Sequence, residues 1–324
     1  MILLHEMYAV PEPSQYIQDS IADIEALELN SDQWPVYHGY EPLKPSSRAI
    51  RLIRLSRVPN TERVSCELFH EDLDSKPEYD ALSYYWGAPS ELETISLNGS
   101  DILICRNLHR FLQSLVARST SLVVWLDVLC INQQDVTERN WQFRLMQEIF
   151  ESAQNVYAWL GEGDADCKLA MRCVTANDQT ATLAKSIKPQ VLKQYLEQLF
   201  IQPYWTRIWI IQETVLAKNL WILYGAEKAS WTNLAQTFDR VCRVDVYKSF
   251  PHRCSRTSFI YNDEADSNEK NTEGCRRFGR FKKAQESLNI GENTLYELVN
   301  LFRDASCTNP RDMSYGLRGD RQQR

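Results

Sequence analysis

Along residues 50–55 the chain alternates apolar and basic side chains (IRLIRL), the period of a half-buried strand. Residues 64–69 (VSCELF) repeat that pattern after a PNTE turn, so the two predict a β-hairpin. Residues 79–86 (YDALSYYW) are aromatic and nearly continuous, as a central strand would be, and Gly87, Ala88 and Pro89 end them. The run TISLNGSDILI carries Asn98-Gly99 at its centre, a two-residue hairpin signal. Asn98-Gly99-Ser100 is also a formal glycosylation sequon, and the turn reading is preferred for an intracellular chain. Residues 107–118 place Leu108, Phe111, Leu112 and Leu115 on one helical face. Residues 122–129 read as a buried strand. Asp135 and Glu138 have the spacing of a capping box, and the helix they open carries Trp141, Leu145, Met146, Ile149 and Phe150 on a core-facing stripe. Glu138 and Arg139 fall on its solvent side. Residues 156–160 form another short strand, stopped by Gly161 and Gly163, and helical signal then dominates to about residue 219, broken near Pro203.

Strand, helix, strand, helix, strand predicts parallel strands joined by crossover helices, hence an α/β fold: a mainly parallel sheet of flavodoxin-like type flanked by helices. The hairpin of residues 50–69 is expected at an edge of that sheet or in a small separate one. Residues 1–47, punctuated by prolines, read as an N-terminal arm. Residues 48–217 are the main domain, and 218–243 a strand–helix extension. Residues 244–291 lose periodicity and predict a mobile loop or insert, because their composition offers little apolar surface against the entropy of ordering. Residues 292–324 carry a C-terminal helix and then an abrupt polar end, which reads as a shortened protein or a truncated gene model.

Composition narrows the function. The chain has 324 residues and a formal charge of -7, which argues against a general electrostatic grip on nucleic acid. The basic tract Arg276, Arg277, Arg280, Lys282 and Lys283 reads as a solvated charge run. No apolar run is long enough for a membrane span, and the N-terminal MILLHEMYAVPEP is a poor signal peptide, so a cytoplasmic protein is expected. Its nine cysteines lack metal-binding spacing and predict free thiols; no metal site is expected.

Four stretches together resemble the HET family of fungal heterokaryon-incompatibility proteins: YDALSYYWG (79–87), VVWLDVLCINQQDVTERNWQFRLMQEIFESAQNVYAWLG (123–161), RIWIIQETVLA (207–217) and CTNPRDMSYGL (307–317). Their order along the chain makes the resemblance specific, with a HET core over residues 76–217 and residues 50–69 similar to the family's leading hairpin. The resemblance implies nonself recognition after hyphal fusion and regulated cell death, acting by self-association or with other signalling domains. It also implies a distant likeness to the TIR domain, some members of which cleave NAD. On that reading NAD is a possible substrate, with no other cofactor expected.

Ligands of open α/β sheets bind outside the carboxyl ends of the strands. That rule selects Trp86 and Gly87 after the 79–86 strand, and Asp127, Asn132 and Gln133 after the 122–129 strand, as ligand-binding candidates. Trp86 could stack on a ring, and Asp127, Asn132 and Gln133 could hydrogen-bond ribose or amide groups. The alternative is structural: Asp127 and Asn132 cap the following turn and Trp86 is core. Glu213, in a Trp-Ile-Ile-Gln-Glu run resembling the Trp-Cys-x-x-Glu of TIR domains, is the catalytic candidate, expected between walls formed by Trp86 and Trp209. A carboxylate beside a ribose can stabilise an oxocarbenium-like state. Otherwise Glu213 is a structural carboxylate paired with Arg207 or Lys218. Cys130 with His109 and Asp127 is a weaker constellation, because a cysteine after a buried strand is usually a small core residue.

Overall fold

The computed structural model describes residues 37–44, 47–58, 61, 63–86, 91–119, 121–175, 187–207, 209–249 and 272–290. Nine strands form one sheet: β1 (Ala49–Arg57), β2 (Val64–Asp72), β3 (Asp80–Tyr84), β4 (Leu92–Leu97), β5 (Ser100–Cys105), β6 (Ser121–Trp125), β7 (Val156–Trp159), β8 (Leu220–Tyr224) and β9 (Glu227–Ser230), in the order β5-β4-β2-β1-β6-β3-β7-β8-β9. The helices are α1 (Arg106–Val116), the single turn α2 (Asp127–Cys130), α3 (Val136–Ser152), α4 (Ala165–Val174), α5 (Pro189–Phe200), α6 (Ile210–Val215), α7 (Trp231–Ser249) and α8 (Glu273–Ile290).

The sheet is mixed, where the hydrophobic pattern predicted a mainly parallel one. Strands β6, β3, β7 and β8 run parallel as a central block. On one side β1 joins β6 antiparallel, with Ile53 opposite Val124 and Leu55 opposite Leu122. Strand β1 also pairs antiparallel with β2 from Ala49↔Asp72 to Arg57↔Val64. The leading hairpin is therefore interior to the sheet, neither an edge nor a separate layer. The reason lies in β1 itself, whose residues 50–53 and 55 are all buried. A strand with so little polar surface needs neighbours on both sides. Strand β3 is buried at every position, polar Asp80 and Ser83 included. The β4–β5 hairpin closes through Asn98 (φ 48°) and Gly99 (φ 81°), both left-handed, as a type I′ turn demands.

Three local expectations, one of a helix, one of a strand and one of a loop, differ from the structure. Asp135 does cap α3, accepting from the backbone N–H of Thr137 (2.9 Å) and Glu138 (3.0 Å). The Glu138 side chain turns inward instead, and the buried face of α3 is Glu138, Gln142, Met146, Ile149 and Phe150, with Trp141 and Leu145 only half-buried. The strand expected over 122–129 stops at Trp125, and residues 127–130 make the α2 turn. Within the stretch expected as a loop (244–291), residues 244–249 complete α7 and 273–290 are α8; residues 250–271 lie outside the described residues. Cys275, Phe278, Phe281 and Ala284 recur at helical spacing among the charges of α8 and are buried. Phe278 stacks on Phe238 of α7 at 4.2 Å and meets Phe200 of α5 at 5.2 Å, in an aromatic cluster that Trp205 extends. The strand–helix pattern at 218–243 appears as β8, β9 and the start of α7, with β8 and β9 continuing the main sheet. Residues 1–36 and 291–324, and with them most of the N-terminal arm and all of the C-terminal end, lie outside the described residues.

Candidate functional site

Strands β3 and β6 run parallel, so their carboxyl ends open on the same side of the sheet. There the chain brings together Ser83 and Tyr84 from β3, Asp127 at the start of α2, Tyr204 and Arg207 from the turn before α6, and Glu213 from α6. Ser83 Oγ donates to Glu213 Oε2, and a 2.6 Å bond links Ser83 Oγ to the Tyr204 hydroxyl. Arg207 donates to the Tyr84 carbonyl at the end of β3, and its guanidinium lies 5.8 Å from the Trp86 ring centre. Asn107 at the start of α1 donates to the Tyr85 carbonyl and accepts from the Trp159 indole at 2.9 Å, fixing the ends of β3 and β7 to one another.

The electrostatics follow from burial. Glu213 is 3% exposed, and its pKa is raised from 4.5 to about 7. Loss of hydration is the largest cause; the Arg207 charge and the Ser83 hydrogen bond oppose it, and Asp127 adds like-charge repulsion. Asp127 is likewise pushed above the usual carboxylate range by burial, against the pull of Arg207, the Val128 N–H and the Trp86 indole. Two carboxyls thus face one guanidinium. Near neutral pH Glu213 can accept or release a proton, which an ordinary surface glutamate cannot do.

Of the predicted residues, Glu213 and Asp127 line one crevice with Leu82, Ser83, Tyr84, Trp125, Met146, Phe150 and Arg207. Trp86 reaches this cluster through Arg207 and Asp127. Asn132 and Gln133 do not line the crevice; they build the turn below it. Asn132 Oδ1 accepts from the Gln134 N–H at 3.2 Å, and Gln133 Nε2 donates to the Asp127 carbonyl at 2.9 Å. Gly87 lies outside the described residues. Trp209, expected to wall Glu213, contacts Phe143 instead at 5.7 Å, and Lys218 donates to the Ser152 carbonyl at 2.9 Å. The crevice is closed: it has no room for a water-sized sphere. Cys130 is a core thiol, fully buried and pushed up to about 12 by loss of hydration, which removes it as a nucleophile at neutral pH.

One buried constellation was hidden in the alternation of β1. Arg51 is 0% exposed, against an expectation that the basic residues of IRLIRL face water. Its guanidinium makes a two-pronged pair with Glu138 at 2.5 and 2.9 Å and donates to the Cys130 and Glu41 carbonyls at 3.0 and 2.7 Å. Tyr40 covers it at 4.9 Å and donates to the Leu129 carbonyl at 3.0 Å. Glu138 also accepts from the Asn132 N–H at 2.7 Å. The clamp therefore fixes residues 127–132, and through them Asp127, to β1 and α3. Arg54 and Arg57 of the same strand are exposed, so nothing in the local pattern singles out Arg51. Among the described residues no group of carboxylate, imidazole and thiol side chains could hold a metal ion.

The fold and this closed polar cluster define an α/β domain with a mixed sheet, its chemistry-bearing residues gathered at the carboxyl ends of β3 and β6. Residues 79–213 match the family described as heterokaryon incompatibility protein (HET), which covers β3 through Glu213. That segment of the chain is thus similar to the HET family. It is 33% identical over 143 residues to heterokaryon incompatibility protein 6, OR allele, of Neurospora crassa, a match covering 40% of this chain and 21% of that protein. The matched part spans about a fifth of the relative's length. No solved structure matches.

Proposed function

We propose that this chain is a signalling module of the heterokaryon-incompatibility type, acting in nonself recognition and regulated cell death through self-association. The HET match over residues 79–213, the segment that builds the polar cluster, carries the reading. The similarity to a Neurospora crassa heterokaryon incompatibility protein supports it. The closed crevice favours a role played by surfaces over one played by a pocket. Its partners are further copies of the chain or other signalling domains, and no nucleic acid is expected. Induced expression of the chain in fungal hyphae tests the reading. Growth arrest with NAD levels unchanged is the expected result, and normal growth at full expression would overturn it.

A second reading is favoured by the meeting of Glu213 with Asp127 and Arg207. In it the domain is an NAD glycohydrolase of the TIR-like type, switched on by oligomerisation that opens the crevice. Glu213 would then stabilise the positive charge developing at the ribose as the glycosidic bond breaks. The same hyphae distinguish the two: NAD loss with the native chain, and none with Glu213→Ala, selects the enzyme.

A further inference from the structure

The two edges of the sheet are built differently. Strand β9 has four residues, two of them charged; Glu227 pairs with Arg172, Lys228 lies over the Tyr157 and Trp221 rings, and Ser230 leads directly into α7. Such a short charged strand is a guarded edge. Strand β5 (SDILIC) has six residues, no lysine and no proline, and among the described residues nothing pairs with its outer side. On the same hairpin Leu103 is 52% and Leu92 49% exposed, two of the most exposed large apolar side chains described.

The hairpin register says which backbone groups face outward. The two-residue turn closes on a hydrogen-bonded Leu97–Ser100 pair, and pairs then alternate, so Ile102 and Ile104 spend their backbone groups on β4. Asp101, Leu103 and Cys105 point their backbone groups away from the sheet. Their side chains share the outer face with Thr94 and Leu92, which stand opposite Leu103 and Cys105.

We propose that β5 is a self-association edge, pairing antiparallel with β5 of a second copy about a two-fold axis at Leu103; the proposal rests on the self-association reading above. The alternation permits only a few symmetric registers. Centring on Asp101 sets two Asp101–Arg63 ion pairs against each other and leaves the two Leu103 side chains apart, and centring on Ile102 sets Asp101 against Leu103. Centring on Leu103 lets the two Leu103 residues exchange both backbone bonds. It also places Asp101, paired with Arg63 of its own copy, opposite Cys105 of the second copy, and sets the two exposed Leu103 side chains side by side. A parallel, in-register pairing would stack the two Asp101–Arg63 pairs and lose the two-fold exchange of backbone bonds at Leu103. The self-complementary register selects a second copy over an unrelated peptide.

Sedimentation of the full chain, with Leu103→Lys and Leu103→Cys, tests this. Ile201→Lys is the control, since Ile201 is another exposed apolar residue, at the end of α5. Expected are reversible association of the native chain, a dissociation constant at least about ten-fold weaker for Leu103→Lys, and no change for Ile201→Lys. Under mild oxidation Leu103→Cys should form a disulfide-linked dimer that the native chain does not, because directly opposed hydrogen-bonded residues have Cα atoms about 5.5 Å apart, within disulfide reach. Association that survives Leu103→Lys unchanged, or the lack of the Leu103→Cys crosslink, refutes the β5 edge while leaving self-association standing. A native chain that remains monomeric refutes both.

Discussion

Replacing Glu213 by glutamine isolates the cost of ionising a carboxyl inside the β3–α6 cluster. Glutamine keeps an oxygen that can accept from Ser83 but cannot ionise. In the unfolded chain the carboxyl titrates near 4.5, and in the folded chain at about 7. Between those values the folded chain holds a proton that the unfolded chain has released, so stability is greatest below 4.5, declines as pH rises towards 7, and is flat above. At 1.36 kcal/mol per pKa unit, the whole decline is about 3 kcal/mol. Asp127, also raised by burial, contributes a decline of the same sign, so the useful readout is the difference between variant and native chain. Urea unfolding followed by tryptophan fluorescence should find the two chains similar at pH 4.5. At pH 8 Glu213→Gln should be the more stable by up to about 3 kcal/mol. A variant less stable than the native chain at pH 8 would refute the reasoning. It would mean that ionised Glu213 is stabilised by Arg207 more than it is penalised by burial.

Two other outcomes follow from the packing. Glu138→Ala strands the fully buried Arg51 guanidinium without its carboxylate and should cost about 3–5 kcal/mol. The pair Arg51→Met with Glu138→Leu should cost less than that single change, and equal or greater loss in urea unfolding would show that the ion pair stabilises the fold outright. Phe278→Ala, which opens the aromatic cluster between α5, α7 and α8, should cost about 3–5 kcal/mol in the same assay, and a loss below about 1 kcal/mol would mean that α8 contributes little to the core.

The sequence disclosed most of what burial on one face dictates. Strands β1, β2, β4 and β5, the Asn98-Gly99 turn, α1 and the capped start of α3 follow from period-two spacing, turn residues or helical spacing, and β3, β6 and β7 from short buried runs. The choice of strand neighbours was less accessible. That β1 sits between β2 and β6 depends on both its faces being covered, and Arg51 disguises this by imitating a solvent-facing residue. Its partner Glu138 is 87 residues away, and no local period reports such a pairing. The apolar residues of α8 are spaced as a helix but lie among so many charges that composition outweighs periodicity. Glu213 came from the resemblance in residues 209–213, and Asp127 from the carboxyl-end rule. That rule was blind to the closure of the crevice, which depends on how Tyr84, Trp125, Met146 and Phe150 fill the remaining space.

The clamp and the crevice divide the residues of the HET segment into two kinds. Asn132, Gln133 and Glu138 shape the 127–138 turn and bind it to Arg51, and the fold alone explains them. The cluster of Glu213, Asp127, Arg207, Ser83 and Tyr204 is of another kind. Its carboxyls sit where burial raises their proton affinity, and the ionised state of Glu213 is a net cost to the folded chain at neutral pH. An apolar side chain at Glu213, with Ser83 and Tyr204 adjusted, would pack this site without that cost. Natural folds tolerate such local inconsistencies chiefly where function requires them. The polar cluster is therefore the place to look for a change of state, whether the event is a ligand entering an opened crevice or a rearrangement of the α6 turn on association. On the NAD-cleaving reading, the proton on Glu213 should show in the pH dependence of NAD loss.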